Sequence, residues 1–375
     1  MPIRISSQFD SGAIEVLADA RADDVRLAIR ADSHADFRQW FHFRVQGAAA
    51  TPLTLTFANA GACTYVDGWR DYSVVASYDR VSWFRVPTRF DGSQMAVTHM
   101  PECDSIYYAY FEPYSWERHL DLLGRMDSMP IARVSNLGAT VEGRDLDLVT
   151  VGDPGAGKIA VWVIARQHPG ETMAEWFVEG MLERLTDDAD ATARALLARA
   201  VFHVVPNMNP DGSVRGNLRT NAAGANLNRE WLEPTPARSP EVHAVRAAMH
   251  ARGVGTFLDV HGDEALPYVF TASGSQLPSW TAAQAEAERT FAAALCAASP
   301  DFQTEHGYPP GKETNVNLSL ASNYVAHTFG CLALTLEMPF KDNANWPDAE
   351  HGWSGARSRR LGMDVLTALN AVVGT

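Results

Sequence analysis

Cysteines, positive charge and long apolar runs are all scarce in this 375-residue sequence. No two of the four cysteines form a Cys-x-x-Cys pair, so we expect reduced thiols without a metal-binding or catalytic role. No stretch approaches the roughly 18 apolar residues of a membrane span, and the first ten residues lack the apolar segment of a secretory signal. These absences predict a cytoplasmic protein that does not bind a membrane.

The charge balance excludes a further class of partner. The chain carries 31 Lys and Arg residues against 45 Asp and Glu residues, a formal net charge of -14 at pH 7. Nucleic acids bind to clustered positive charge, and this sequence has no long run of Lys and Arg, so we expect no nucleic-acid partner. Hydrophobic residues make up 46% of the chain, which is enough for a packed core and excludes an intrinsically disordered protein.

The hydrophobic pattern divides the chain into two predicted domains near residue 112. Before that point, short runs with a period of two alternate with turn residues, which predicts a small antiparallel β-sandwich over residues 1–112. Over residues 113–375, apolar strands alternate with longer helical stretches, which predicts a doubly wound α/β domain with a mixed sheet. The predicted strands of this second domain are 159–165, 200–205, 256–260 and 331–336, and its helices are 173–185, 191–197, 240–252, 282–297 and 358–373.

Polar residues follow each predicted strand of the second domain. In chain order they are His168 and Glu171, Asn209, His261 and Glu337. Open α/β sheets bind their ligands beyond the carboxyl ends of the strands. We therefore expect these side chains to meet at one edge of the sheet and to form the functional site.

Two histidines and one glutamate of this group match a metal site. Two imidazoles and one carboxylate, with a fourth position open to water, are usual ligands of a catalytic zinc ion. His168 and Glu171 lie three residues apart and can reach one ion from a tight turn, whereas His261 arrives from a later strand. Glu337 is then a free acid that can take a proton from water.

The His-x-x-Glu spacing carries little weight alone, because it occurs three times in the chain. The pair His99 and Glu102 lies in the β-rich half, where no second histidine follows a strand, and we interpret it as a surface pair. The last pair is His261 and Glu264. One metal ion cannot use both remaining pairs fully, so we keep His261 as the ligand and leave Glu264 out.

Six linked motifs, taken together, resemble the zinc metallocarboxypeptidase family, and most closely the bacterial form of its cytosolic carboxypeptidase branch. They cover about residues 113–375, and the β-rich first 112 residues resemble the small amino-terminal domain of that branch. In the family's order, the motifs are His-Pro-Gly-Glu at 168–171, Asn-Pro-Asp-Gly at 209–212, Gly-Asn-Leu-Arg at 216–219, Asn-Leu-Asn-Arg at 226–229, Asp-Val-His-Gly at 259–262 and Leu-Thr-Leu-Glu at 334–337.

The resemblance implies a zinc-dependent hydrolase with one ion per chain. By that resemblance, His168, Glu171 and His261 bind the zinc ion, and Glu337 is the general base. The family often has Asp where this chain has Asn226. The Asn226 side chain can still accept the imidazole N–H of His168, but without a charge it raises the basicity of that ligand less.

The resemblance also implies residues that contact the substrate. Arg219 would share the developing oxyanion with the metal, which favours the transition state over the substrate. Asn228 and Arg229 would hold the terminal carboxylate, and such a charge-assisted pair selects a free chain end. Tyr324, 13 residues before Glu337, would match the mobile active-site tyrosine of the family.

These observations predict a carboxypeptidase that hydrolyses the C-terminal peptide bond of peptides or protein tails. Removal of C-terminal acidic residues, as by a deglutamylase, is a family implication, but residues 312–337 contain no Arg and a single Lys. One alternative is an aspartoacylase-type zinc amidohydrolase that acts on N-acyl amino acids. An alternative of another class is an inactive binding module. The sequence leaves the assembly state open, including a homo-oligomer.

Overall fold

The first part of the chain folds into ten short strands in the computed structural model, which describes residues 3–19, 21–155, 157–309 and 316–374. The strands form two five-stranded sheets, in the orders β1-β4-β10-β6-β7 and β2-β3-β5-β9-β8. Their bounds are β1 (Arg4–Ser6), β2 (Glu15–Ala18), β3 (Val25–Ala28), β4 (His42–Gln46), β5 (Leu53–Phe57), β6 (Val75–Ser77), β7 (Phe84–Arg85), β8 (Thr88–Phe90), β9 (Met95–His99) and β10 (Ser105–Ala109).

The two sheets form the predicted antiparallel sandwich with one departure. Neighbouring strands run antiparallel, except that β3 and β5 pair in parallel. Strand β5 illustrates why the sheets pack face to face. Its Leu53, Leu55 and Phe57 are buried, whereas Thr54 and Thr56 between them are half-buried, because successive side chains of a strand point to opposite faces.

The second part of the chain contains a seven-stranded mixed sheet, in the order β11-β12-β14-β13-β15-β17-β16. Its four central strands, β14, β13, β15 and β17, run in parallel, and the outer strands are antiparallel to their neighbours. The sheet agrees with the predicted doubly wound mixed sheet. The strand bounds are β11 (Ala132–Ala139), β12 (Asp145–Val151), β13 (Ile159–Ala165), β14 (Ala200–Val205), β15 (Thr256–Asp263), β16 (Phe270–Ser273) and β17 (Leu332–Pro339).

Helices cover both faces of the mixed sheet. On β13, Val161 and Val163 belong to the hydrophobic cluster that includes α2 and α8, whereas Trp162 and Ile164 belong to the cluster that includes α5 and α7. A strand that is buried on both faces in this way reads as a continuous apolar run. The helix bounds are α1 (Trp116–Asp127), α2 (Met173–Leu185), α3 (Ala191–Arg199), α4 (Pro210–Arg215), α5 (Pro240–Arg252), α6 (Ala282–Ala298), α7 (Ala321–Phe329) and α8 (Gly355–Val372).

The two parts share one hydrophobic core. Tyr110, just after β10, stacks on Phe340, just after β17, with ring centroids 4.5 Å apart. The Arg85 guanidinium of the sandwich donates to the carbonyl oxygens of Phe340 (2.9 Å) and Trp353 (3.1 Å). The sandwich is thereby fixed against the edge of the sheet where the parallel strands end. Across the described residues, none of the helices has the length and apolar character that crossing a membrane requires.

Candidate metal centre and active-site cleft

The first two predicted ligands lie in a tight turn after β13. The N–H of Glu171 donates to the carbonyl oxygen of His168 (3.1 Å), which closes the turn. The chain enters it through Arg166, whose backbone is left-handed (φ 57°). Such a conformation costs a non-glycine residue about 1–3 kcal/mol and persists only where its surroundings fix it. Here the Arg166 guanidinium donates to the Pro169 carbonyl (2.9 Å) and to Glu175 of α2 (2.6 Å).

The third ligand and the predicted base come from adjacent parallel strands. The register of β15 and β17 pairs His261 directly with Glu337. Both residues lie at the carboxyl ends of their strands, beside the end of β13. The sheet therefore brings together at one edge the four residues that the sequence places in three separate segments.

The ligand atoms of the three metal-binding candidates converge. The two Glu171 carboxylate oxygens lie 2.6 Å from His168 Nδ1 and 2.7 Å from His261 Nδ1. All three side chains are buried, and one potential ligand atom from each lies within 4.8 Å of the others. Two imidazole nitrogens and a carboxylate that face a common point are a ligand set that suits zinc, so these residues fit the ion that the sequence predicts.

The far nitrogen of each imidazole is held by an oxygen acceptor. His168 Nε2 lies 3.1 Å from Asn226 Oδ1, the contact expected from the sequence, and His261 Nε2 lies 2.9 Å from Asp259 Oδ2. Gln167 Nε2 donates to the same Asp259 oxygen (2.8 Å). With the N–H on Nε2, both rings donate to these oxygens, and each Nδ1 lone pair is then left for a metal.

Burial and neighbouring charges shift the pKa values of these groups in different directions. It lowers the pKa of His168 to about 3, and the positive charge of Arg219 adds to this effect. Burial also opposes the charged form of His261, but the charges of Asp259 and Glu171 outweigh it and raise the pKa well above its ordinary value. The pKa of Glu337 is raised well above the usual range by burial, although the charge of His261 opposes the shift.

Of the two carboxylate oxygens of Glu337, one accepts a hydrogen bond and the other has no partner among the described residues. Its Oε1 accepts a hydrogen bond from the Tyr308 hydroxyl (2.9 Å). Its Oε2 is buried and has no hydrogen-bond partner among the described residues. Glu337 and Tyr308 line a cleft of about 290 Å³, together with the three ligand candidates. Because buried polar atoms are rarely left unpaired, Oε2 marks the point where a reacting group can bind.

Arg219 lines the same cleft from a loop between α4 and α5. Its guanidinium carbon lies 5.7 Å from the Phe37 ring centroid and 5.5 Å from that of Tyr65. Both rings belong to the sandwich, and Tyr65 itself lines the cleft. Cation–π contacts of this kind restrict where the guanidinium can lie.

Asn228 and Arg229 occupy a short helical turn, Leu227–Arg229, that also lines the cleft. The Asn228 Oδ1 accepts the N–H of Ala321 at the start of α7 (2.9 Å), and its Nδ2 lies 3.3 Å from His261 Nε2. Arg229 is more exposed, and its guanidinium donates to the Asn228 carbonyl (2.7 Å). The two residues therefore present one buried amide and one accessible cation.

Tyr324 lies outside the cleft, contrary to the prediction. Its helix, α7, packs so that the Tyr324 hydroxyl lies 2.8 Å from His250 Nε2 on α5, and its ring lies 6.1 Å from that of Trp231. Tyr308, which the sequence analysis did not select, is the tyrosine beside Glu337. Asp259 was also missed, although its position two residues before His261, on the same face of a strand, is a signal that could have found it.

Two family models match the chain and together cover most of it. Residues 5–111 match the model described as cytosolic carboxypeptidase N-terminal domain, and residues 119–352 match the model described as zinc carboxypeptidase. The chain therefore belongs to the zinc carboxypeptidase family, and it is a metallocarboxypeptidase. More particularly, the first match gives it the amino-terminal domain of the cytosolic carboxypeptidases.

Solved structures and a curated relative agree with this family. A metallo-carboxypeptidase from Burkholderia cenocepacia is 57% identical, with a TM-score of 0.96 and coverage of 99% of both chains. One from Pseudomonas aeruginosa is 47% identical, with a TM-score of 0.95 and the same coverage. Mouse cytosolic carboxypeptidase 6 is 32% identical over 260 residues, which are 63% of this chain and 47% of that protein. The chain thus spans about half the length of this mouse relative.

Proposed function

We propose that this metallocarboxypeptidase removes the last residue from peptides or protein tails, using one zinc ion held by His168, Glu171 and His261. The observation that carries the proposal is the convergence of their three ligand atoms within 4.8 Å, in a cleft that Glu337 and Arg219 also line. When bound, zinc polarises the carbonyl of the scissile bond and lowers the pKa of water.

Glu337 is the proton carrier in this proposal. Its Oε2 has no other partner among the described residues, so it accepts a proton from the attacking water. The same carboxyl then passes the proton to the leaving amine. The Tyr308 hydroxyl, which donates to Oε1, keeps the carboxyl oriented during both transfers.

Three residues of the 219–229 segment bind the substrate in this proposal. Arg219 donates to the oxyanion that forms when the carbonyl is attacked, and Arg229 with Asn228 holds the terminal carboxylate. The accessibility of Arg229 supports this role, because a free chain end can reach its guanidinium. The Pseudomonas aeruginosa relative is described in complex with (2-guanidinoethylmercapto)succinic acid, whose name denotes a dicarboxylic acid. Binding of carboxylates by that relative supports a carboxylate site in this cleft.

Removal of acidic terminal residues is a narrower form of the proposal. Among the described residues that line the cleft, the Lys and Arg side chains are Arg219 and Arg229. In this proposal Arg219 binds the oxyanion and Arg229 binds the terminal carboxylate, so neither is left for an acidic side chain of the substrate. The other lining residues include the neutral Ser322, Asn323 and Thr335, together with the acidic Asp263 and Glu264. We therefore expect no strong preference for an acidic over a neutral polar terminal residue. The cytoplasmic location and the lack of nucleic-acid and membrane partners stay predictions, and the assembly state stays open.

The experiment combines a metal assay with product analysis. The purified protein should contain one zinc ion per chain by elemental analysis. Mass spectrometry of a library of N-blocked peptides, varied at the last two positions, should detect products shortened by one C-terminal residue. C-terminally amidated peptides should be resistant, because Arg229 needs a carboxylate. Faster cleavage of N-acyl amino acids than of peptides would favour an aspartoacylase-type enzyme instead, and zinc binding without any hydrolysis would favour a binding module.

Replacement of the base gives the sharpest kinetic result. We expect Glu337→Gln to retain zinc and to lower turnover at least about 10²-fold, the usual scale for loss of a general base. Glu183→Gln, which removes an exposed carboxylate on α2 outside the cleft, is the matched control and should leave turnover unchanged. Unchanged turnover in Glu337→Gln would exclude this carboxyl as the proton carrier.

A further inference from the structure

The sandwich places a buried carboxylate against the loop that carries Arg219. Among its described Asp and Glu residues, Asp32 is the one whose side chain is nearly fully buried, with 8% exposed. A buried carboxylate is expensive unless it accepts several hydrogen bonds. The partners of Asp32 therefore identify what the side chain does.

The side-chain hydrogen bonds of Asp32, within the part of the chain that the structure describes, go to three consecutive residues of the Arg219 loop. Its Oδ1 accepts the N–H of Leu218 (2.6 Å), and its Oδ2 accepts the N–H groups of Arg219 (2.7 Å) and Thr220 (2.9 Å). The Thr220 hydroxyl donates to Oδ2 as well (3.1 Å). Hydrogen bonds to an ionised acceptor are about twice as strong as neutral ones. The backbone on both sides of Arg219 is therefore tied to the sandwich.

The sandwich also restricts the side chain of Arg219. The guanidinium lies near the rings of Phe37 and Tyr65, both from the sandwich. The Phe37 carbonyl accepts the N–H of Asp32 (2.8 Å), so one short loop presents both the carboxylate and the first ring. Backbone and side chain of the arginine are thus held by the same domain.

Both ends of the Arg219 loop touch the sandwich backbone. Gly216 (φ 68°) and Gly224 (φ 77°) adopt the left-handed conformation that favours glycine. A Cβ atom on Gly216 would lie 2.5 Å from the Ser11 carbonyl oxygen, and one on Gly224 would lie 2.4 Å from that of His34. Only glycine permits this approach, so both ends of the loop are docked on the sandwich.

We propose that the N-terminal domain is part of the catalytic apparatus, in which Asp32, supported by Phe37 and Tyr65, positions Arg219 at the oxyanion. This inference rests on the role proposed above for Arg219. A donor stabilises an oxyanion only when it is held at the right point beforehand, and a shift of about 1 Å can cost about 10²-fold in rate. Arg219 belongs to the catalytic domain, and the sandwich holds it in a fixed position.

A purely structural role for Asp32 is the competing explanation, and Glu112 provides its control. Glu112, at the end of the sandwich, also accepts a backbone N–H of the catalytic domain, from Gly355 at 2.7 Å. It does not line the cleft. Glu112→Gln therefore reports what loss of a half-buried interdomain carboxylate does to stability alone.

The test is steady-state kinetics of the full-length zinc-loaded enzyme on an N-blocked peptide. Asp32→Asn keeps the size of the side chain but turns an NH₂ group towards N–H donors. We expect a fall in kcat of about 10- to 100-fold, with KM changed less than about threefold. Glu112→Gln should keep the kcat of the unaltered enzyme. If Asp32→Asn lowers stability as Glu112→Gln does and leaves kcat unchanged, the positioning role is wrong.

A double-mutant cycle shows whether Asp32 acts through the arginine. In an Arg219→Gln background, Asp32→Asn should lower kcat by less than about a further twofold, because residues that act as a unit are not additive. The same loss in both backgrounds would contradict the proposal. Should Asp32→Asn fail to fold, Thr220→Val takes its place, since it removes one of the four hydrogen bonds and keeps the side-chain shape. It should lower kcat a few-fold, again only when Arg219 is present.

Binding of a phosphonate peptide, a tetrahedral anion, gives a readout that does not depend on turnover. Calorimetry should find its affinity lowered about tenfold or more by both Asp32→Asn and Arg219→Gln, with zinc content unchanged. Equal affinity in Asp32→Asn and the unaltered enzyme would refute the positioning role of Asp32 and leave the proposed function unaffected. A lack of C-terminal cleavage by the unaltered enzyme, or no effect of Arg219→Gln on either measurement, would instead contradict the proposed function on which the inference rests.

Discussion

The two domains bury different kinds of side chains. The core of the sandwich is largely aromatic and aliphatic, and its large buried residues include Trp40, Phe41, Phe43 and Tyr108. The catalytic domain has an apolar core too, but it also buries a group of polar residues where its parallel strands end: His168, Glu171, Asp259, His261 and Glu337. Buried polar groups are costly unless they are paired, so their concentration at one edge of one sheet distinguishes the part that does chemistry from the part that supports it.

The His-x-x-Glu motif has different consequences in the two domains. In the sandwich, His99 Nδ1 lies 3.0 Å from the Tyr108 hydroxyl, and no metal-binding cluster includes it among the described residues. In the catalytic domain, His168 and Glu171 meet His261 at the sheet edge. A His-x-x-Glu pair therefore becomes a metal site only where the topology delivers a third ligand.

The largest effect is expected from removing the third ligand, His261, which the His-x-x-Glu pair of the sandwich lacks. His261→Ala removes one of the three ligands, and we expect loss of bound zinc. A metal Lewis acid contributes several kcal/mol to catalysis, so turnover should fall at least about 10³-fold. His99→Gln, in the sandwich, should keep zinc and turnover. Elemental analysis and peptide kinetics check both variants, and zinc retained at full stoichiometry in His261→Ala would contradict the assignment.

Most of the metal site could be predicted from the sequence because regular secondary structure fixes it. The apolar runs that become β13, β15 and β17 are buried on both faces, so their carboxyl ends could be located and the polar residues there grouped together. The predicted helices 173–185 and 240–252 match α2 and α5. Short edge strands such as β8 and β16 were not predicted, because three or four residues give too little pattern.

Contacts that depend on irregular segments could not be predicted. The family resemblance, through the distance from Glu337 along the chain, points to Tyr324 as the active-site tyrosine, but α7 turns this side chain towards His250 on α5. Tyr308 comes from a stretch without helix or strand, where no periodicity indicates direction. Asp32 reaches Leu218 across 186 residues, and nothing local in the sequence marks that pairing.

The next effect concerns stability and separates two buried histidines. His42 of the sandwich is fully enclosed, and burial, with the charge of Arg80, lowers its pKa to about 3 from 6.5. As the pH falls below 6.5, the unfolded chain takes up a proton that the folded chain cannot. Stability is therefore lost progressively from pH 6.5 to about 3, by about 2 kcal/mol between pH 6.5 and 5. Denaturant titrations at several pH values should find this slope reduced in His42→Gln.

His119 of α1 provides the contrast of opposite sign. Burial disfavours its charge, but Glu175 and Asp147 outweigh that cost and raise its pKa to about 9. Its contribution is present below pH 6.5 and is lost as the pH rises through 9. His119→Gln should therefore flatten the alkaline side of the stability profile and leave the acid slope intact. Identical acid slopes in His42→Gln and the unaltered protein would show that His42 is protonated in the folded state.

A smaller effect distinguishes the two tyrosines near the end of the chain. Tyr308→Phe removes the hydroxyl that donates to Glu337 Oε1. A hydrogen bond to a charged group is worth about 1.5–3 kcal/mol, so we expect kcat to fall about tenfold or more. Tyr324→Phe removes a hydroxyl that contacts His250 outside the cleft and should leave kcat unchanged. A larger loss in Tyr324→Phe than in Tyr308→Phe would restore the prediction made from the sequence.

The smallest expected effect concerns one aromatic ring of the sandwich, that of Phe37, which contacts Arg219 of the catalytic domain. Phe37→Leu keeps an apolar side chain but removes the ring beside the Arg219 guanidinium. An accessible cation–π contact contributes about 0.5–1 kcal/mol, so kcat should fall about threefold while KM and zinc content stay the same. Phe90→Leu removes a ring of similar burial from β8, on the same domain but away from the cleft. Both variants should lose stability, and only Phe37→Leu should lose turnover. If Phe90→Leu slows turnover equally, the sandwich acts on the reaction through general packing and not through this ring.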